Sequence, residues 1–181
     1  MGTIIFNKIR DVKSPSRAYE VNGNSVAAGT DFYVPEYTSE FYNDLVSKNL
    51  DTSDYSIAID DDKKLVITLS PGGRINIPSG IRVDIKDKNS CLLAANKSGV
   101  SSKKGLCKLA ELIDADYHGE IHINVVNTGN VPVSIKSGDK LIQFMNLPII
   151  YPTFVELSNE EFNNSVLETA RGTGGFGSSG S

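Results

Sequence analysis

The chain has 181 residues, 39% of them hydrophobic and 22% charged, which suits a single domain with a sizeable core. A net charge of −4 and a pI near 5.2 exclude a general basic field for nucleic acid or anionic membrane, so any polyanion must be held by a local site. Cys91 and Cys107 are the only cysteines, and no signal-peptide pattern or long apolar run occurs. A reduced cytoplasmic setting is expected, with both thiols acting as small core residues.

In chain order, the first predicted element is a helix over "TSEFYNDLVSKNL" (38–50). It sets Phe41, Tyr42, Leu45 and Val46 on one stripe behind Thr38 or Ser39 as N-cap. "YSIAI" and "KLVITL" then read as a β-hairpin joined by "DDDKK". The aspartates form a solvated turn rather than a metal site, because no further ligands are spaced around them. "GRINIPSGIRVDI" (73–85) places Ile75, Ile77, Ile81, Val83 and Ile85 at strand spacing around a Pro-Ser-Gly turn.

"NKSGVSSKKG" (96–105) brings together serines, glycines and lysines, the groups a phosphate needs, in a spacing that is not a Walker A loop; a basic surface loop fits it equally. "IDADYHGE" (113–120) carries Asp114 and Asp116 just before a strand. A carboxylate there suits water activation, and a turn whose aspartates bond their own backbone is the competing reading. His118 and His122 lack the glutamate and the helix of a zinc-protease pair, so they read as exposed strand histidines. "GEIHINVVNTG" (119–129) is a strand, and "VPVSIKSGDKLIQFMNLPI" (131–149) is two strands around a Ser-Gly-Asp turn. "LSNEEFNNSVLETA" (157–170) forms a short helix, and the chain ends in a Gly/Ser tail holding Arg171 and Phe176, one cation and one aromatic face. Short strands with Gly and Pro punctuation predict an all-β sandwich, jelly roll or barrel.

Five of these stretches, in fixed order, resemble the motifs of the trimeric dUTPases, the deoxyuridine triphosphate nucleotidohydrolases. They are "AGTDFY" (28–33), "NKSGV" (96–100), "LIDADYHGE" (112–120), "GDKLIQF" (138–144) and "RGTGGFGSSG" (171–180). The resemblance implies a β jelly-roll domain over 1–168, with a small helical and hairpin insertion at about 36–70. A glycine-rich arm at 169–181 would close the active site. It further implies a homotrimer with sites shared between subunits, in the cytoplasm (that of a host if the chain is viral). The implied activity is Mg²⁺-dependent hydrolysis of dUTP to dUMP and pyrophosphate, which keeps uracil out of DNA and supplies dUMP.

By the same resemblance, Asp114 activates the water that attacks the α-phosphorus, and Tyr117 packs on the deoxyribose and rejects a ribose. Lys97, Ser98, Gly99 and Gln143 belong to the phosphate site. Phe176 stacks on uracil and Arg171 reaches the terminal phosphates, with Gly177, Ser178 and Ser179 adding hydrogen bonds. Asp31 touches the hydration shell of Mg²⁺, which the triphosphate chiefly holds. A hairpin at about 106–112 reads the base through its backbone.

Three features depart from the family pattern. Asn96-Lys97-Ser98 stands where Pro-Arg-Ser is usual, Lys108 and Glu111 stand where Asn and Gly are common, and 36–70 is longer than the usual connection. They keep two other expectations open: the same fold hydrolysing dCTP or both pyrimidine nucleotides, or a nucleotide-sensing module that binds a protein partner through 36–70.

Overall fold

In the computed structural model, which describes residues 2–19, 25–49, 51, 53–166, 168, 169 and 172, twelve strands and three helices are defined. They are β1 (Ile4–Lys8), β2 (Ser16–Arg17), β3 (Thr30–Asp31), α1 (Ser39–Lys48), β4 (Tyr55–Ile59), β5 (Leu65–Leu69), β6 (Arg74–Ile85), β7 (Ser90–Asn96), α2 (Ser98–Lys104), β8 (Leu106–Lys108), β9 (Leu112–Ile113), β10 (Glu120–Asn127), β11 (Val133–Lys136), β12 (Ile142–Pro148) and α3 (Asn159–Ser165). Three antiparallel sheets have the orders β1-β6-β10-β8, β11-β5-β4 and β2-β3-β12-β7-β9. The architecture is the expected β jelly roll. The chain divides into two compact units, 1–150 and 151–181, and the expected arm lies within the second.

Alternation builds the core of the first unit. Ile121, Ile123 and Val125 of β10 turn inward with Ile75, Ile77 and Ile81 of β6 and Leu65, Ile67 and Leu69 of β5. Phe32 and Phe144 meet there with ring centroids 4.6 Å apart. The hairpin at 55–69 forms as predicted, and Asp60 serves it as a turn residue: its carboxylate accepts the Lys64 N–H at 2.9 Å. That hydrogen bond is the first cause holding the Asp60 carboxyl below its ordinary range. Thr38 is the N-cap of α1, accepting the Phe41 N–H at 3.0 Å.

The segment 36–70 is not a detachable decoration. Phe41 and Leu45 of α1 and Leu65, Ile67 and Leu69 of β5 are all 0% exposed, so helix and hairpin belong to the core. The buried stripe of α1 is narrower than predicted, since Tyr42 stays exposed.

Three further local differences have physical reasons. The predicted Pro-Ser-Gly turn does not reverse the chain, and β6 runs through it unbroken. Gly80 sits at φ +74, and the β10 register shifts between Glu120, opposite Arg82, and His122, opposite Pro78. The extra residues are absorbed as a bulge that kinks the strand. The "NKSGVSSKKG" stretch holds the short helix α2, closed by Gly105 in the left-handed region at φ 68. The residues at 106–112 do not pair with each other: β8 joins β10 in one sheet and β9 joins β7 in another, with 109–111 crossing between them.

Cys91 is buried and Cys107 half-buried, and both are free thiols. Burial pushes the Cys91 thiol up. In the second unit, Ser158 and Glu161 form a reciprocal capping box at the start of α3. Among the described residues, no helix is long and apolar enough to cross a membrane.

Candidate active site

The sheet brings three distant stretches to one place. Pairing of β12 with β3 sets Gln143 opposite Asp31, and pairing with β7 sets Ile142 opposite Asn96. The Gln143 amide donates to the Asn96 carbonyl at 3.0 Å, and its side chain lies where a Cβ on Gly29 would sit. Only glycine at 29 leaves that space. Asp31 is 1% exposed and ion-paired to Lys97 through Oδ1. Lys140 Nζ stands 2.9 Å from Asp31 Oδ2 as an ion pair whose angle falls short of a hydrogen bond, so Oδ2 retains an unused acceptor position.

Two ammonium groups on one buried carboxylate leave a net positive surface. Beside them Ser98 and Gly99 are exposed at the first turn of α2, where N–H groups lack intrahelical partners. Interaction with Asp31 raises the Lys140 pKa above its ordinary value, so this charge persists at neutral pH. The cluster suits a polyanion. Lys140, just before β12, is not marked by the sequence; the pairing of β12 with the adjacent β7, which ends next to Lys97, is what brings both lysines to Asp31.

Asp114 and Tyr117 lie elsewhere. A turn closed by the Tyr117 N–H donating to the Asp114 carbonyl at 3.1 Å sets them apart from the strand geometry that would align Asp114 with Asp116. Both carboxylates are exposed, and neither makes a side-chain hydrogen bond among the described residues. The competing reading, aspartates bonded to their own backbone, therefore does not describe them. Tyr117 folds back over Gly119: a Cβ there would lie 2.5 Å from Tyr117 Oη. The phenol donates to the Glu120 carbonyl at 2.9 Å.

A cavity of about 310 Å³ opens beside this turn, lined by Asp114, Tyr117, Ile113, Asn76, His122 and Asn124 among others. His118 is exposed ahead of β10, but His122 is half-buried on it, contrary to expectation, and desolvation pushes its pKa down. Lys108 and Glu111 are ion-paired to each other and are not among the lining residues. Their charges are thereby compensated away from the cavity wall.

Behind Tyr117 stands a buried network. Arg10 grips Glu120 with Nε on Oε1 and Nη2 on Oε2, both at 2.9 Å, and also pairs with Asp44 of α1. Glu120 Oε1 accepts the Gly80 N–H of the β6 bulge at 2.7 Å. Hydrogen bonding to Glu120 raises the Arg10 guanidinium still further above its ordinary range. No periodicity in the sequence marks Arg10, because its partners are 34 and 110 residues away.

The two groups of site residues are not joined within this chain. No hydrogen bond or ion pair among the described residues links Asp114 or Tyr117 to Asp31, Lys97, Ser98 or Gln143, and none of those four lines the cavity. No cluster of three or more His, Cys, Asp or Glu suited to a metal occurs among the described residues. Arg171, Phe176, Gly177, Ser178 and Ser179 lie outside the described residues.

The dUTPase family model matches residues 63–180. The deoxyuridine 5'-triphosphate nucleotidohydrolase of Aeromonas salmonicida is 37% identical over 116 residues, covering 63% of this chain and 72% of the relative. That of Actinobacillus pleuropneumoniae is 30% identical and covers 84% of this chain and 90% of the relative. Among solved structures, a Staphylococcus bacteriophage 80alpha dUTPase mutant with dUpNHpp is similar over 99% of both chains, with a TM-score of 0.68 at 21% identity. A dUTPase mutant from a phage of S. aureus, described as coordinating a structural Mg(II) ion, covers 87% of this chain and 97% of its own, with a TM-score of 0.63 at 21% identity.

Proposed function

This chain belongs to the dUTPase family, and we propose that it hydrolyses dUTP to dUMP and pyrophosphate at sites shared between the copies of a homotrimer. The observation that carries this reading is the convergence of Gly29, Asp31, Lys97, Lys140 and Gln143, drawn from three motif stretches, on one positive surface. That surface supplies what a triphosphate requires: cations, an amide and exposed N–H groups. The separation of Asp114 and Tyr117 from it supports a site completed by a neighbouring copy. In the second unit, exposed Phe154, Val155 and Phe162 are the kind of apolar side chains that an assembly covers.

In this mechanism Lys97, Ser98, Gly99 and Gln143 bind and orient the phosphates. Asp114 of another copy accepts a proton from the water that attacks the α-phosphorus in line with the pyrophosphate leaving group. Tyr117, held by Glu120 and seated on Gly119, presents its ring to the deoxyribose, where a 2′-hydroxyl would collide with it. Arg171 reaches the terminal phosphates, Phe176 covers the base, and Gly177, Ser178 and Ser179 add donors as the arm closes and excludes water. Among the described residues no cluster of His, Cys, Asp or Glu forms a cage for a metal, and in this reading the ion arrives on the triphosphate. Asp31 Oδ2, buried and with an acceptor position unused, would receive a water of its hydration shell. Bound in that way, Mg²⁺ neutralises phosphate charge.

Pyrophosphate release from dUTP, dCTP, dTTP and UTP, each with Mg²⁺ or with EDTA, tests the reading. The expected result is Mg²⁺-dependent turnover with dUTP preferred by kcat/KM. Turnover of dCTP equal to or better than dUTP would overturn the base assignment, and no turnover of any of the four would overturn the activity.

A further inference from the structure

We propose that the side-chain amides of Asn76 and Asn124 read the hydrogen-bonding edge of the pyrimidine in the cavity beside Tyr117. The inference rests on the activity proposed above for its substrate class, and on the strand register for its residues. Asn76 and Asn124 are cross-strand partners on β6 and β10. The backbone of Asn76 faces away from β10: its N–H donates to Asn49 Oδ1 at 2.8 Å, and its carbonyl accepts from Asn49 Nδ2 at 2.9 Å. The backbone of Asn124 likewise faces away, its carbonyl accepting the Leu109 N–H at 3.0 Å. Such a pair is the non-hydrogen-bonded kind, in which the two side chains come closest. The amides therefore lie next to each other on the outward face of the sheet, opposite the buried Ile75, Ile77, Ile123 and Val125.

Both amides line the cavity that also contains Asp114 and Tyr117, and its volume of about 310 Å³ matches the low end for small-molecule sites. Asn76 Oδ1 is buried and has no hydrogen-bond partner. A buried acceptor left unpaired is unfavourable, so this one stands available to a donor on a ligand in the cavity. The Asn124 side chain also makes no hydrogen bond among the described residues. Uracil presents acceptor, donor and acceptor around N3–H. The Asn76 carbonyl oxygen would accept that proton, and an adjacent amide N–H would donate to the flanking carbonyl. Lys108 and Glu111, tied to each other, leave this task open. The strand floor then reads the base with side chains, in addition to the backbone of about 106–112.

The test measures dUMP and dCMP binding by calorimetry for the wild-type protein and for Asn76→Ala, Asn76→Asp and Asn124→Ala, with the melting temperature of each ligand-free protein. Asn76→Ala should weaken dUMP binding about tenfold, the loss of one buried hydrogen bond. It should not lower the melting temperature, since the lost acceptor had no partner in the fold. Asn76→Asp, which accepts but no longer donates, should lower the dUMP-to-dCMP affinity ratio. Asn124→Ala carries the same expectation as Asn76→Ala should either Asn76 variant fail to fold. Unchanged affinities and ratio in the folded variants overturn the proposal, as does a wild-type protein that binds neither nucleotide. Wild-type protein that binds dUMP but does not turn over dUTP would instead overturn the proposed activity and leave this reading to stand or fall on the variants.

Discussion

Asp114→Asn is expected to lower kcat by about a thousandfold while leaving the affinity for a non-hydrolysable triphosphate within about twofold of wild type, the range typical of losing a general base. Asparagine keeps the shape of the side chain but cannot take a proton from water. The substitution should also be silent for the fold. Asp114 is exposed at the end of a turn held by main-chain groups, and its carboxylate makes no hydrogen bond or ion pair among the described residues. Single-turnover kinetics together with analogue titration check both halves. Near-normal turnover would assign the proton transfer to another group.

The second large effect concerns stability. Arg10→Met should destabilise the first unit by about 3 kcal/mol, because it leaves a buried carboxylate without its partner. The side chains concerned are only 8% and 14% exposed for Arg10 and Glu120, so solvent offers little compensation. A loss of that size corresponds to a fall in melting temperature of roughly 10 °C for a domain in this range. Combining Arg10→Met with Glu120→Met should recover part of it, since two apolar side chains remove the uncompensated charge. Recovery should be incomplete, because Glu120 also accepts the Gly80 N–H that sets the β6 bulge. Denaturant melts of the single and double variants check this. Arg10→Met with unchanged stability would mean that the network contributes nothing net. The same network reaches Asp44 on one side and, through the Glu120 main chain, Tyr117 on the other, so the helix at 39–48 is built into the support of the site.

Much of the fold was legible in the sequence where a single physical rule dominated. Strict alternation marks β10, β11 and β12, and the acidic turn marks the hairpin of β4 and β5. Thr38 and the Phe41 and Leu45 stripe mark α1, and α3 falls within the short helix expected over 157–170. Legibility failed where two rules competed. Pro78, Ser79 and Gly80 have the composition of a turn, but apolar residues on both sides are buried in one continuous sheet, and burial outweighed local preference. β7 is buried almost throughout, so it lacks the alternation by which a half-exposed strand is recognised. α2 has only seven residues and no side-chain cap, and its lysines and serines read equally as loop.

The site divided along the same line. Residues within motif stretches could be named from the sequence. Arg10, Asn76 and Asn124 could not, and Lys140, although inside "GDKLIQF", is not marked by that stretch either, because their significance comes from strand register and from partners far along the chain. The departures at Lys108 and Glu111 were visible in the sequence, but their mutual pairing was not. What 36–70 contributes was not legible either: its sequence marks a helix and a hairpin, whereas the burial of Phe41, Leu45, Leu65, Ile67 and Leu69 in the core emerges only in the fold.

In the proposed assembly the active site lies between copies, with the phosphate groups held by one chain and the water-activating carboxylate supplied by another. Mixed oligomers of Asp114→Asn and Gln143→Ala chains, co-expressed with different tags and purified through both, test it most directly. Each variant alone should be inactive, whereas trimers purified through both tags should regain about a third of wild-type turnover, because in every mixed trimer one of the three sites draws both intact groups from different copies. Mixed oligomers that form but stay as inactive as their parents would contradict it, because every chain would then have to supply Asp114 and Gln143 to the same site.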